Sequence, residues 1–195
     1  MGSNSEVNGG AKMTFVDFRQ IPGVQTYPSV RTNDVRGSFI NFLSKPSDED
    51  SKFFNIENIA ISVNELLGTV RGIHIQKQPF VQEKLIRCIK GSIFDIIVDL
   101  RKNSPTYLAW GSLHLSDQDE YALYLPEGVA HGYQTLENDT ILMYGLTSTY
   151  NSEAAIHISP TDKDLGIPWP LAFSAISPAD SKGLKIQEAI RDSNW

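Results

Sequence analysis

Two short stretches hold the side chains best suited to chemistry: Arg71-Gly72-Ile73-His74, and Leu125-Pro126-Glu127-Gly128-Val129-Ala130-His131-Gly132-Tyr133. Both histidines lie in strand-like sequence, and Lys84 lies on a strand-like segment between them. A neutral imidazole accepts a proton near pH 7, and a carboxylate on its other ring nitrogen fixes the tautomer and stabilises the imidazolium. A histidine, an arginine and a lysine on inward-facing strands therefore have the parts to move protons on an anionic substrate.

Composition sets the bounds. The chain has 195 residues, 41% hydrophobic and 21% charged, enough for one well-buried core. A formal net charge of -6 argues against a nucleic-acid surface, which needs a clustered basic face. No apolar run approaches the roughly 18 residues of a membrane span. The one cysteine, Cys88, cannot close an intramolecular disulfide, and the start does not read as a signal peptide, so a cytoplasmic setting is expected. Residues 1–12 read as a disordered tail or expression remnant and 13–195 as a single domain.

The elements that must position these groups are short strands, punctuated by turn residues every eight to twelve positions or so. Over Ser92 to Leu100, Phe94, Ile96, Val98 and Leu100 share one face, while Ile93, Asp95, Ile97 and Asp99 share the other. Lys84 to Lys90 alternates too, with Lys84, Ile86 and Cys88 opposite Leu85 and Arg87. Tyr107 to Leu115, Tyr121 to Leu125, Val129 to Thr135 and Ile141 to Thr147 supply further strands. So many short antiparallel strands predict an all-β jelly roll. One short terminal helix is expected over Leu184 to Arg191.

Taken in order, Arg71-Gly72-Ile73-His74, Lys84-Leu85-Ile86-Arg87, Gly91-Ser92-Ile93-Phe94-Asp95, Asp99-Leu100-Arg101, Ser104-Pro105-Thr106, Pro126-Glu127-Gly128-Val129-Ala130-His131-Gly132 and Leu165-Gly166-Ile167-Pro168-Trp169-Pro170 resemble the dTDP-4-dehydrorhamnose 3,5-epimerase family. The resemblance runs from about Asp34 to Asp180. It implies a cupin-type double-stranded β-helix, a homodimer, and epimerisation of a nucleotide-linked 4-keto-6-deoxy sugar without metal or redox cofactor. By position it makes His74 the base with Asp180 behind it and Tyr144 the acid. Lys84, His131 and Asp95 would serve the keto oxygen, and Arg71 and Arg36 the diphosphate. Asn58 and Tyr150 would contact the nucleotide, Tyr150 by stacking. The chemistry agrees: removing a proton next to a ketone needs a base and a stabilised enolate, and inversion needs an acid on the opposite face.

His114 and His157 fit no motif and read as structural or exposed, and Asp99 reads as a partner for Arg101 or another structural cation. Metal-binding cupins usually place two histidines one residue apart, whereas His74-Ile75-Gln76 supplies one imidazole, so no metal is expected. The family's nucleotide-stacking aromatic is replaced by Thr32, and Asn58-Ile59-Ala60 carries a shorter amide and an alanine. Those departures leave open a GDP-linked hexose or heptose, and a 3-epimerase that inverts one carbon. A non-catalytic cupin module and a metal-dependent cupin oxygenase or isomerase are the rivals from other classes.

Overall fold

The computed structural model describes residues 13–42 and 55–191; the expectation of an N-terminal tail over 1–12 falls outside them. One seven-stranded sheet runs β1 (Thr14–Phe15), β9 (Ala109–Ser116), β8 (Ser92–Asp99), β11 (Val129–Thr135), β6 (Thr69–Gln76), β13 (Ala155–His157), with β14 (Ala175–Ile176) also on β6. A second sheet runs β2 (Gln25–Pro28), β10 (Tyr121–Leu125), β7 (Lys84–Lys90), β12 (Thr140–Leu146), β5 (Asn58–Asn64). The hairpin of β3 (Val30–Asp34) and β4 (Gly37–Asn41) pairs only with itself. The two larger sheets make the cupin-type jelly roll.

Alternation decides which side chains meet between the sheets. Ile93 and Ile97 of β8 pack with Ile86 and Cys88 of β7, Leu142 of β12 and Tyr133 of β11. Ile96, Val98 and Leu100 point the other way, into a second core with Trp110, Ile156, Leu165 and Ile186. Both faces of β8 are therefore buried, and Asp95 and Asp99 are buried with them. Asp99 carries a bidentate Arg101 at 2.8 and 2.9 Å together with the Ser104 and Thr106 hydroxyls, the partners a buried carboxylate requires.

The terminal helix is shorter than expected. Only Ile186–Ala189 is helical (α2), started by Lys185 and burying Ile186 and Ala189. The pattern missed a second turn, α1 (Pro178–Ser181), which Ser177 caps by accepting from the Asp180 N–H at 3.0 Å and which Pro178 opens.

The strands that carry the two histidine motifs touch at backbone distance. Gly72 has φ +107°, and a Cβ there would lie 2.6 Å from Gly132 Cα and 2.7 Å from the His131 carbonyl. Gly72→Ala is expected to cost about 3 kcal/mol, adding a clash to backbone strain. Gly37, at φ +121°, would meet nothing within 4 Å, so Gly37→Ala should cost less in urea unfolding. Equal losses would show that the close approach contributes nothing.

Candidate active site

Register places three imidazoles in a row. His131 of β11 pairs with His74 of β6, which pairs on its other side with His157 of β13. All three line a cavity of about 400 Å³ between the sheets. Ala60 and Ser62 of β5, Lys84 of β7 and Tyr144 of β12 line it from the second sheet.

His74 Nε2 lies 2.6 Å from Asp180 Oδ1, and His157 Nδ1 lies 2.7 Å from the same oxygen. Asp180 Oδ2 accepts from the Gly72 N–H at 3.3 Å. Burial alone raises the Asp180 carboxyl, but the two histidines and that N–H outweigh it and hold the group well below the usual carboxylate range. An ionised carboxylate orients His74 with its proton on Nε2, which leaves Nδ1 to accept a proton. Burial depresses His74 below its ordinary value despite the pull of Asp180, so the ring is the free base at neutral pH.

Lys84 Nζ donates to the His74 carbonyl at 3.1 Å. Burial lowers its value to about 8, and Asp95 limits the fall. His131 Nε2 lies 2.8 Å from Asp95 Oδ2, while Asp95 Oδ1 is buried with no hydrogen-bond partner among the described residues. Burial pushes Asp95 up against the opposing effects of His131 and Lys84. The Tyr144 ring packs edge-on to His131 at 6.1 Å. Burial, then the neighbouring Tyr133 and Asp95, push the Tyr144 hydroxyl well above its ordinary value, so it holds its proton until a strong base arrives. The pocket thus offers a base, a cation and an acid.

The other expected residues divide. Arg71 lines the cavity, with Nε bound to Asn64 Oδ1 at 2.7 Å. Tyr150 lines it and is 64% exposed, which leaves its ring free to stack. Asn58 pairs with Leu146 at the start of β5 and is not among the cavity's lining residues. Arg36 stands on the β3–β4 turn, exposed and paired with Asp34, and does not line the cavity of its own chain.

Sequence reasoning read His157 as structural or exposed and missed that it lines the cavity and shares Asp180 with His74. The signal was there: Ile156 and Ile158 are buried, so strand alternation turns His157 to the opposite face. His114 is exposed, as expected. Gln76 was missed too; it donates to Phe80 and Thr149 carbonyls and accepts from the Asn151 N–H, tying together the loops beside the cavity.

His157 also changes the ligand arithmetic. His74, His157 and Asp180 present donor atoms within 4.8 Å of one another, the group among the described residues that could hold a metal ion. The second imidazole comes from a neighbouring strand, where a His-x-His search does not look. The separations of His74 and His157 from the carboxylate, 2.6 and 2.7 Å, are charge-assisted hydrogen-bond distances, and an ion would have to displace both imidazole protons.

A jelly roll whose inter-sheet cavity holds a carboxylate-oriented histidine, a depressed lysine and a buried tyrosine is built as a proton-transfer isomerase of the cupin fold. The chain belongs to the dTDP-4-dehydrorhamnose 3,5-epimerase family, whose model matches residues 19–188. The Shigella flexneri dTDP-4-dehydrorhamnose 3,5-epimerase is 32% identical over 171 residues, 87% of this chain and 94% of its own. That of Sinorhizobium fredii is 44% identical over 121 residues, 62% of each chain. The crystal structure of the Bacillus anthracis enzyme, solved with TDP and PPi bound, superposes with a TM-score of 0.79 at 34% identity, covering 84% of this chain and 94% of that one.

The two depressed groups set a pH profile. The base must be neutral, so kcat/KM should rise with pH through a value below 6.5, that of His74. The ammonium must be charged, so it should fall as pH passes about 8, that of Lys84. Lys84→Arg should move the alkaline limb upward, because a guanidinium keeps its charge; an unmoved limb would assign it to another group.

Proposed function

We propose that this chain inverts C3 and C5 of a dTDP-linked 4-keto-6-deoxy sugar. The observation that carries the reading is the opposition of His74 on one sheet, with Asp180 of α1 behind it, to Tyr144 on the other sheet, across one cavity. His74 takes the proton from a carbon beside the ketone, and the electron pair moves onto the C4 oxygen. Lys84 and His131 meet the developing charge, an effect worth roughly 3 to 4 kcal/mol per donor lost. Tyr144 returns a proton to the opposite face. The diphosphate suits Arg71, whose planar fork keeps donors beyond the one given to Asn64, and Tyr150 suits the base.

The reading includes a cytoplasmic homodimer. The single cysteine, Cys88, is buried and free, in keeping with a reducing compartment; among the described residues no helix is long and apolar enough to cross a membrane. On the edge strand β5 the usual polarity is reversed. Ala60 and Ser62 face the cavity, while Ile59, Ile61 and Val63 are 65%, 63% and 59% exposed. Val30 and Phe39 of the β3–β4 hairpin are also exposed, at 59% and 75%. A second copy would cover this surface and bring Arg36 to the other copy's diphosphate.

Incubation with the dTDP-linked 4-keto-6-deoxy sugar in deuterated water should wash out the C3 and C5 protons; no exchange with any nucleotide-linked 4-keto sugar sinks the reading. His74→Ala should slow exchange at the first-exchanging carbon by about 100-fold or more. Tyr144→Phe should slow inversion more than exchange, and equal, mild losses in both variants would mean the roles are wrong. In sedimentation the protein should run as a dimer and Ile61→Lys as a monomer; a native monomer removes the dimer.

A further inference from the structure

We infer that His157 is a second general base, so that each of the two carbons flanking the ketone has its own imidazole. This rests on the 3,5-epimerase reading above. His157 repeats the arrangement of His74: one ring nitrogen donates to Asp180 Oδ1, at 2.7 Å against 2.6 Å, and the other is left able to accept a proton. The two rings meet edge to face with centroids 4.6 Å apart and line the same cavity. They stand on adjacent strands, β6 and β13, at directly paired positions.

Substrate geometry calls for this placement. In a gluco-configured ring the hydrogens on C3 and C5 are both axial on one face, so both must be removed from the same side. The structure puts two imidazoles on one sheet and the tyrosine hydroxyl on the other. In the second step the His157 Nε2 lone pair takes the hydrogen of the second carbon as a proton. The C–H electron pair becomes the enolate, with its charge on the C4 oxygen, and Tyr144, reprotonated from solvent after the first step, delivers a proton to the opposite face to complete inversion. Asp180 serves both rings and stabilises whichever imidazolium forms. No oxidant or further reactant is required.

The test separates a second base from a structural partner. His157→Asn keeps an N–H near the Nδ1 position but cannot accept a proton, and His157→Gln is the companion should the asparagine variant fold poorly. Exchange of the C3 and C5 protons into deuterated water is followed separately by NMR. If His157 is a base, the ratio of the two exchange rates shifts by about 100-fold in either variant, and His74→Asn shifts it in the opposite direction. A merely structural role lowers both rates together and leaves the ratio unchanged, which would overturn the inference. Native protein that exchanges one carbon only would overturn it while leaving an epimerase; native protein that exchanges neither would remove the underlying reading instead.

Discussion

The site depends on one carboxylate oxygen. Asp180 Oδ1 receives both His74 and His157, and the group is buried at the one-turn helix α1. Desolvation works against an ionised carboxylate there, and three donors overcome it. The strength of those hydrogen bonds ties a C-terminal segment to β6 and β13, and the same bonds set the ring tautomers on which proton transfer relies. Docking of the C-terminal segment and the orientation of the imidazoles are therefore linked through a single carboxylate.

The sheets divide the chemistry between them. The first carries the histidine row, with Asp95 behind His131 on β8, and the second carries Lys84 and Tyr144. Burial acts differently on each group. It lowers Lys84 to about 8 and His74 below its ordinary value, so at neutral pH the lysine stays charged while the imidazole is neutral, and it keeps the proton on Tyr144. Burial between the sheets thus leaves a neutral imidazole, a cation that can be switched off and a hydroxyl that holds its proton, all from ordinary side chains.

Strand periodicity made much of the fold legible: Lys84–Lys90, Tyr121–Leu125 and Val129–Thr135 form as read, and other strands differ by a residue or two at their ends. It worked because each strand faces a core on at least one side. The ordered motifs led to His74, Lys84 and His131, which sit in long or well-punctuated strands, whereas Tyr144 and Asp180 were reached through their position in the family resemblance. His157 escaped because its strand has three residues, and the alternation of Ile156, His157 and Ile158 is too short for a period to stand out. Helix α1 escaped for a related reason: one turn held by a serine cap and a proline has no hydrophobic repeat to see. Arg36 shows the opposite limit, since a residue type suited to diphosphate does not reveal whether it lines the cavity, and Arg36 stands exposed on the β3–β4 turn.

Strand β5 shows how function can reverse a patterning rule. A sheet facing water normally turns its apolar residues inward, yet β5 gives its inward positions to Ala60 and Ser62 and its outward ones to Ile59, Ile61 and Val63. The inward side lines a cavity, where bulky side chains would fill the space needed by substrate, and where Ser62 instead holds the Tyr133 hydroxyl at 2.8 Å. Tyr133 in turn donates to the same Asn64 oxygen that holds Arg71. Small and polar residues on that side therefore hold Arg71 in place at the cavity, and the strand's apolar content is left on its outer face. The hydrophobic surface of β5 and the polarity of the cavity are two consequences of placing an active site between the sheets, at the edge where only one neighbouring strand constrains the chain.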